Sequence, residues 1–162
     1  MRTRTPGHLT SFDYLGLNRY FLTFCTADRR HLFTTHDVVD LVLTQIVRAA
    51  TESQFAVIAY CFMPDHLHLL VEGTSDTSDC KSLIVRAKQY SGFYYAKAYG
   101  ARLWQRYSYE HVLRHHEQLL VVARYILENP IRAGLVTRVE DYQFVGSLVY
   151  PLADLIVGVT SD

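Results

Sequence analysis

Apolar and polar residues recur along the chain with two different periods, and these periods predict an order of strands and helices. Four segments rich in aromatic and β-branched residues are predicted strands: residues 19–26, 54–62, 66–72 and 103–110. The first of them is apolar at nearly every position, which is typical of a central strand. Met63, Pro64 and Asp65 form a tight connection between the second and third strands, which are therefore expected to be antiparallel.

Three further segments repeat apolar residues at helical spacing and are predicted helices: residues 35–53, 80–99 and 114–128. Gly100 is well placed to end the second helix, and Pro130 to stop the third. The resulting order is strand, helix, strand, strand, helix, strand and an added helix. This order is typical of an α+β, ferredoxin-like split βαβ fold, in which a central antiparallel sheet has helices on one face; a C-terminal helix and a tail follow.

The composition predicts a single folded domain over residues 1–162, with an N-terminal arm at 1–17 and a C-terminal tail at 139–162 whose apolar residues pack back on the body. No apolar run approaches the length needed to cross a bilayer, and the basic start lacks the apolar core of a signal peptide. A cytoplasmic protein with no membrane role is therefore expected. The three cysteines are odd in number and widely spaced, so they are expected to be reduced.

The formal net charge of zero hides an uneven distribution of charge. Residues 81–138 carry a net charge of +7, whereas residues 1–80 carry −3 and residues 139–162 carry −4. The basic block is interleaved with aromatic residues: Tyr90, Phe93, Tyr94, Tyr95, Tyr99, Trp104, Tyr107 and Tyr109. This composition is expected where a phosphate backbone is neutralised and bases are stacked. It is also expected if the aromatic rings are core and the charges form a solvated helix face, and the composition leaves both interpretations open.

Two histidines stand two residues apart inside the apolar run of the third predicted strand. Successive side chains of a strand point to opposite faces, so His66 and His68 should share one face, with Leu67, Leu69 and Val71 on the other. Two imidazoles on one face can reach a single metal ion. They can equally form hydrogen bonds with neighbours or face water, and the spacing does not decide between these possibilities.

The last predicted helix carries Tyr125 and Asn129 four residues apart, so a phenol and an amide share one helix face. An amide oxygen is a hard, neutral ligand, and together with two imidazoles it would favour Mg²⁺ or Mn²⁺ over a zinc site with soft ligands. The alternative is that Tyr125 is a core residue and Asn129 merely a helix-end residue before Pro130.

Four segments taken together resemble a known family. They are RYFLTF at 19–24, FMPDHLHLL at 62–70, LWQRY at 103–107 and RYILENPIRAGLV at 124–136. In this order they are similar to the single-tyrosine transposases of the HUH class, an insertion-sequence transposase family, and in particular to its branch of REP-associated tyrosine transposases. The resemblance covers about residues 18 to 147, and the order of four motifs is far more specific than any one of them.

The resemblance implies a metal-dependent DNA transesterase that cuts and rejoins single-stranded DNA, often beside hairpins, in an HUH-type endonuclease domain with a ferredoxin-like sheet. It implies that Tyr125 is the nucleophile that forms a 5′-phosphotyrosine intermediate. His66, His68 and Asn129 match the residues that hold the divalent metal, Mg²⁺ or Mn²⁺. The basic block supplies the expected contacts to the DNA backbone: Arg86, Lys88, Arg102, Arg106 and Arg132.

The chain departs from the family pattern in two places. Asp65 stands where asparagine is frequent, and Phe144 to Ser147 stand where a Trp-Ser-Ser-like end is common. Two rival functions remain open: a non-catalytic single-stranded nucleic-acid-binding module on the same fold, and a metal-dependent hydrolase that uses water, with Tyr125 only structural. The REP-associated branch implies a monomer with tyrosine and histidines from one chain, whereas related transposases are homodimers that exchange the tyrosine helix.

Overall fold

The computed structural model describes residues 15–114 and 116–161, and the backbone alone at 116 and 117. The strands are β1 (Arg19–Thr26), β2 (Phe55–Met63), β3 (His66–Gly73), β4 (Trp104–Leu113) and β5 (Val145–Gly146). The helices are α1 (His36–Ser53), α2 (Cys80–Tyr99), α3 (His116–Arg132) and α4 (Leu152–Thr160). Short 3-10 turns lie at Ala27–Arg29 and Val139–Asp141. Residues 1–14 of the predicted arm lie outside the described residues.

The strands form one sheet in the order β4-β1-β3-β2-β5, and each strand is antiparallel to its neighbours. The connection from β1 through α1 to β2 leaves room for β3 between the two strands, which is the split βαβ arrangement. The predicted ferredoxin-like fold is thus confirmed, with β5 added at the edge beside β2. The central pair is β1 and β3, in a register that sets Thr23 opposite His68 and Cys25 opposite His66.

The two faces of the sheet carry separate cores. Leu67, Leu69 and Val71 of β3 lie in the core that α1 and α2 cover. Leu70 lies in the second core, which α3 and α4 cover on the opposite face. The prediction of helices on one face therefore holds for α1 and α2, and the added C-terminal helices take the other face. Because side chains alternate along a strand, the β3 histidines face α3.

Helix α3 continues through Pro130, so the prediction that this proline stops the helix is wrong. Proline has a φ angle close to that of a helix, and its missing N–H costs one backbone hydrogen bond in the last turn. The helix ends instead at Arg132, and Gly134 just beyond it has a φ of +74°. The Leu135 N–H donates to the Pro130 carbonyl over 2.9 Å and the Gly134 N–H donates to the Ile131 carbonyl over 3.0 Å, which is a Schellman motif.

Strand β4 is three residues longer at its end than the predicted strand 103–110, because its pairing with β1 continues to Leu113 opposite Arg19. Tyr109 pairs with Thr23 and His111 with Phe21. Residues opposite each other in an antiparallel pair point to the same face. Strand β4 therefore presents Tyr109 on the α3 side of the sheet, which is also the side of the β3 histidines.

The C-terminal tail packs on the α3 side of the sheet, which confirms the prediction that its apolar residues pack back on the body. Val145 of β5 pairs with Cys61 of β2. Leu155 and Val159 of α4 are buried in one core with Ile126 of α3.

All three cysteines are free thiols, as expected; Cys61 and Cys80 are buried, and burial raises the pKa of Cys61 to about 12. Among the described residues, no helix combines the length and the apolar character that crossing a membrane requires.

Leu67 provides a test of the core between β3 and the helices α1 and α2. Its side chain is fully buried, so Leu67→Ala should lower the free energy of unfolding by about 2–5 kcal/mol through lost burial and a residual cavity. Urea denaturation measures this loss. Val85→Ala on the exposed face of α2 is the control and should change stability by less than about 0.5 kcal/mol. Equal effects of the two variants would contradict this assignment of the core.

Candidate active site

His66 and His68 point to the same face of β3, as predicted from the strand period. Their Nε2 atoms are 3.1 Å apart. The rings meet at 76° with centroids 4.6 Å apart. Leu67 between them lies in the opposite core. Two imidazole nitrogens therefore converge on one point between β3 and α3.

His68 is buried and has a fixed environment. Its Nδ1 atom lies 2.8 Å from the Thr23 hydroxyl of β1, and its ring packs on Phe21 at 5.2 Å between centroids. Burial, followed by the electrostatic effect of His66 and the positive charges of Arg132 and Arg29, lowers the pKa of His68 to about 3. The ring is therefore neutral at pH 7. In the tautomer that donates from Nδ1 to Thr23, the Nε2 lone pair is directed at the Nε2 atom of His66.

His66 is held from its other side by a carboxylate. The His66 Nδ1 lies 2.7 Å from Asp65 Oδ1, and the guanidinium of Arg29 contacts Asp65 Oδ2 over 2.9 and 3.0 Å. Burial raises the pKa of Asp65, but the hydrogen bonds from His66 and Arg29, together with the charge of Arg29, outweigh it and leave the pKa below its ordinary value. An ionised carboxylate that accepts from Nδ1–H leaves Nε2 as the free lone pair of His66.

The turn that carries Arg29 is fixed to the turn before β3. Asp28 and Arg29 adopt positive φ angles of 55° and 54°, which side-chain-bearing residues seldom occupy. The Thr26 N–H donates to the Asp65 carbonyl over 3.0 Å, and the Leu32 N–H donates to the Pro64 carbonyl over 2.9 Å. These bonds hold the strained turn in the conformation that brings Arg29 to Asp65.

Helix α3 brings Tyr125 and Asn129 to the histidines within one chain. The Asn129 Nδ2 atom lies 3.4 Å from His66 Nε2. The Tyr125 ring lies 6.0 Å from the ring of His68 and 6.0 Å from that of Phe21, centroid to centroid. Tyr125 is 46% exposed, so the interpretation of this residue as core is wrong. The phenol lies at the open side of the site, where a ligand can reach it.

Arg132 is the one predicted DNA contact that the described geometry brings to the site. Its guanidinium lies 4.0 Å from the centroid of the Tyr125 ring. It also donates to the Tyr125 carbonyl. This places a permanent positive charge on the face of the phenol ring.

The other four predicted contacts lie on the α2 side of the sheet. Arg86 donates to the Ser53 hydroxyl over 3.0 Å, between α2 and α1. Lys88 donates over 2.7, 3.3 and 2.9 Å to three β4 atoms: Gln105 O, Arg106 O and Ser108 Oγ. Burial, helped by the charge of Arg102, lowers the pKa of Lys88 to about 8. These bonds use all three donors of its ammonium group. Arg102 and Arg106 line an open cavity of about 290 Å³.

The convergent donors fit a divalent ion. Among the described residues no group of three or more His, Cys, Asp or Glu side chains is arranged to hold a metal. The amide of Asn129, whose Nδ2 lies 3.4 Å from His66 Nε2, stands beside the two imidazoles. Ligands about 2.1 Å from Mg²⁺ and at right angles to each other are about 3.0 Å apart, close to the 3.1 Å between His66 and His68 Nε2. Two lone pairs at that distance repel unless a proton or a cation lies between them. The Asn129 amide offers oxygen to such an ion after a half-turn.

The sequence alone did not identify the residues that support the two histidines. Thr23 and Phe21 reach His68 only because β1 pairs with β3 in one register, and Arg29 reaches Asp65 only through its positive φ. The signal available in the sequence was Asp65 itself, a charged residue next to His66. Register and left-handed turns outside glycine are not visible in residue periodicity.

The chain is similar to known proteins over most of its length. A sequence model of the family described as "Transposase IS200 like" matches residues 16–129. A REP-associated tyrosine transposase of Escherichia coli strain K12 is 28% identical over 136 residues, covering 81% of this chain and 77% of that protein. A Haemophilus influenzae protein assigned to the same group is 26% identical over 144 residues, covering 82% of this chain and 81% of that protein.

A solved structure has the same fold. It is that of a REP-associated tyrosine transposase bound to a REP hairpin, and it superposes with a TM-score of 0.71. The match covers 86% of this chain and 82% of that chain at 23% sequence identity. At that identity the likeness is evidence about the fold.

The burial of a neutral His68 predicts that acid destabilises the protein. The folded pKa is about 3, whereas a histidine in an unfolded chain has a pKa of about 6.5. Between these values the unfolded chain binds a proton that the folded chain does not. This residue should therefore lower the free energy of unfolding at pH 5 by about 2 kcal/mol relative to pH 7. Urea denaturation in EDTA at the two pH values measures the difference.

The control for this pH dependence is a second histidine outside the site. His68→Asn removes the titrating group, so the loss of stability between pH 7 and pH 5 should shrink by about 2 kcal/mol. His31 is exposed in the loop after β1, and His31→Asn should leave the loss as it is in the unmodified protein. An unchanged pH dependence in His68→Asn would rule out a buried neutral imidazole at this position.

Proposed function

The chain belongs to the family of IS200-like transposases, and from this premise we propose that it cleaves and rejoins single-stranded DNA by tyrosine attack. In this proposal Tyr125 is the nucleophile, and a 5′-phosphotyrosine is the covalent intermediate. His66, His68 and Asn129 hold Mg²⁺ or Mn²⁺. One observation carries the proposal. The ring centroid of the exposed Tyr125 lies 6.0 Å from that of His68, and the Nε2 of His68 lies 3.1 Å from the Nε2 of His66, all within one chain.

Tyr125 performs the bond-forming step. A phenol is protonated at neutral pH, so its hydroxyl must lose the proton as the oxygen attacks. The Arg132 guanidinium, 4.0 Å from the ring centroid, favours the negative charge that develops on the phenol. The bond from the tyrosine oxygen to phosphorus forms while the bond from phosphorus to the 3′ oxygen breaks. The leaving 3′ oxygen gains a proton, and the 5′ end stays on the tyrosine.

The intermediate preserves the energy of the broken bond, and this makes rejoining possible without ATP. A 3′-hydroxyl of the same or another strand attacks the phosphotyrosine, and the tyrosine oxygen leaves. The forward and reverse steps are both transesterifications. This reversibility fits a transposase, which must join the DNA that it cuts.

The metal-binding residues differ in how they are supported, and both arrangements favour an available Nε2 lone pair. His68 is held neutral by burial and oriented by Thr23, whereas His66 is oriented by the carboxylate of Asp65. When bound, the ion would neutralise the non-bridging oxygens of the scissile phosphate and orient them for in-line attack. The amide of Asn129 completes the donor set on the side of α3.

Hairpin DNA is the proposed substrate class. The solved structure that this chain resembles is a transposase bound to a REP hairpin. The net charge of +7 over residues 81–138 supports binding of a polyanion. Arg132 lies at the site, and Arg102 and Arg106 lie on the α2 side of β4, where they offer further charge for a DNA backbone.

One chain supplies every residue of the proposed site. Tyr125 and Asn129 reach His68 and His66 of the same chain, so a monomer is sufficient for cleavage in this proposal. A homodimer that exchanges the tyrosine helix would need α3 to leave the core that it forms with β2 and β3.

The nucleophile is tested with Tyr125→Phe. This change removes only the phenol oxygen, so it should abolish the covalent protein–DNA adduct while DNA affinity stays within about twofold of the unmodified protein. The measurement is denaturing electrophoresis of the protein after incubation with Mg²⁺ or Mn²⁺ and end-labelled hairpin DNA. The matched control is Tyr150→Phe at another exposed tyrosine, which should form the adduct normally.

The same assay separates the rival functions. Cutting that persists in Tyr125→Phe would contradict the nucleophile assignment and indicate a hydrolase that uses water. Binding without any adduct or cutting by the unmodified protein would indicate a non-catalytic single-stranded DNA-binding module.

The support of His66 by Asp65 predicts a change in metal affinity. Removing a carboxylate that orients a ligand histidine commonly weakens metal binding by about 10–100-fold, and Asp65→Ala should do so here. Asp65→Asn keeps an oxygen acceptor for His66 Nδ1 and should lose less, and His66→Ala should lose binding altogether. Titration with Mn²⁺ followed by electron paramagnetic resonance measures the affinity. Unchanged affinity in Asp65→Ala would exclude the orienting role, and unchanged affinity in His66→Ala would exclude the site.

A further inference from the structure

Part of the α3 side of the sheet carries exposed aromatic rings. Helix α3 packs mainly against β2 and α4, and it covers little of β3 and β4. Tyr107 is 67% exposed and Tyr109 is 40% exposed. Tyr109 pairs with Thr23, which also pairs with His68, so Tyr109 lies on the side that holds the histidines. Tyr107 stands two residues before it, where the register between β1 and β4 shifts. We call Tyr107 and Tyr109 the aromatic row.

Two other aromatic residues of the basic block differ from this row. Tyr95 and Trp104 are buried in the core beneath α2. The Trp104 Nε1–H donates to the Ser91 hydroxyl over 2.8 Å. Packing in the core therefore accounts for the presence of Tyr95 and Trp104, whereas it does not account for the exposed rings of the aromatic row.

The aromatic row is continuous with the candidate active site. The ring of Phe21 lies 5.8 Å from that of Tyr109 and 6.0 Å from that of Tyr125, centroid to centroid, and both contacts are edge-on. Phe21 also packs on His68 at 5.2 Å. A chain of rings thus leads from the proposed nucleophile and metal ligand out to β4.

The charges around the row are suited to an anionic ligand. The Arg106 guanidinium lies 5.5 Å from the centroid of the Tyr107 ring, and Arg132 lies on the Tyr125 ring at the other end. Glu110, the acidic residue of β4, pairs with Leu22 and so points to the opposite face. The row therefore combines flat rings with flanking cations.

We propose that Tyr107 and Tyr109 stack unpaired bases of the DNA strand next to the phosphate that Tyr125 attacks. The proposal rests on the proposed function, and it adds a binding site for the single-stranded flank. Bases in a duplex already stack on each other, so a row of rings selects a segment whose bases are unpaired. Every base offers a ring face, and this contact is tolerant of sequence.

A thermodynamic cycle between a tyrosine and a base tests the proposal. The ligand is a DNA hairpin with an unpaired flank, and a series of otherwise identical oligonucleotides carries one abasic site at each flank position. Tyr109→Leu should weaken binding of the intact oligonucleotide about tenfold, the size expected for one lost stacking contact. With the abasic site at the contacted position, Tyr109→Leu and the unmodified protein should bind equally. Fluorescence anisotropy without divalent ion measures both, since no cleavage then occurs.

Two further variants control for loss of the ring and for the general effect of the change. Tyr109→Phe keeps the ring and should restore the affinity of the unmodified protein. Tyr99→Leu makes the same substitution at a tyrosine that is 47% exposed on α2, on the other face of the sheet, and should bind as the unmodified protein does. Tyr107→Leu should behave like Tyr109→Leu, but with the coupling at a neighbouring flank position.

The outcomes separate this proposal from the proposed function. If the unmodified protein forms the tyrosine adduct but Tyr109→Leu loses no affinity, or loses it equally for all abasic ligands, the stacking row is wrong and the cleavage function stands. If coupling to one base is found without any adduct, the row stands and cleavage is wrong. Self-association of the unmodified protein that Tyr109→Leu and Tyr107→Leu abolish, without dependence on bases, would show an interface between copies and overturn the proposal.

Discussion

The antiparallel register between β1 and β3 decides which side chains reach the candidate site. It sets Thr23 opposite His68 and places Phe21 against the same ring. A strand has a period of two, so a slip of one residue would turn the histidines into the core beneath α1 and α2 and bring Leu67 and Leu69 to α3. The hydrophobic pattern of β3 forbids that slip, since Leu67 and Leu69 fill a well-packed core. The packing of apolar residues on one face therefore positions the polar residues on the other.

The two histidines of the candidate site lie in dissimilar environments. His68 is buried, and the loss of water lowers its pKa to about 3, which keeps the ring unprotonated at pH 7. His66 is more open and has Asp65 behind it, and the negative charge of Asp65 is balanced by Arg29. A second carboxylate near His68 would favour its protonated form. Burial at His68 and a carboxylate beside His66 thus both leave a lone pair on Nε2, although the two environments differ.

Residue periodicity predicted the parts of the site that lie within single elements. The shared face of His66 and His68 follows from a period of two, and the shared face of Tyr125 and Asn129 follows from a separation of four residues. Residue periodicity could not predict the contacts between elements. Those contacts depend on strand register and on backbone conformations, and neither can be read from the pattern of apolar and polar residues. Arg29 reaches Asp65 only because its φ angle is positive. Lys88, which was predicted to contact DNA, instead donates hydrogen bonds to atoms of β4. Pro130 showed a related limit, since a proline in the last turn costs too little to stop a helix that the core holds in place.

Strand β4 divides the surfaces that the proposed substrate would use. Arg106 lines a cavity on the α2 side together with Arg102, and its guanidinium also lies 5.5 Å from the centroid of the Tyr107 ring. Tyr109 pairs with Thr23 and lies on the side of the active site. A DNA that contacts both sides must pass around this outer strand, because the sheet is a single layer. The edge itself is not free to add another strand at this point, since the Lys88 ammonium binds the carbonyls of Gln105 and Arg106. The Lys88 cation therefore occupies two carbonyls at the start of β4 that another strand would need, and it adds positive charge beside them.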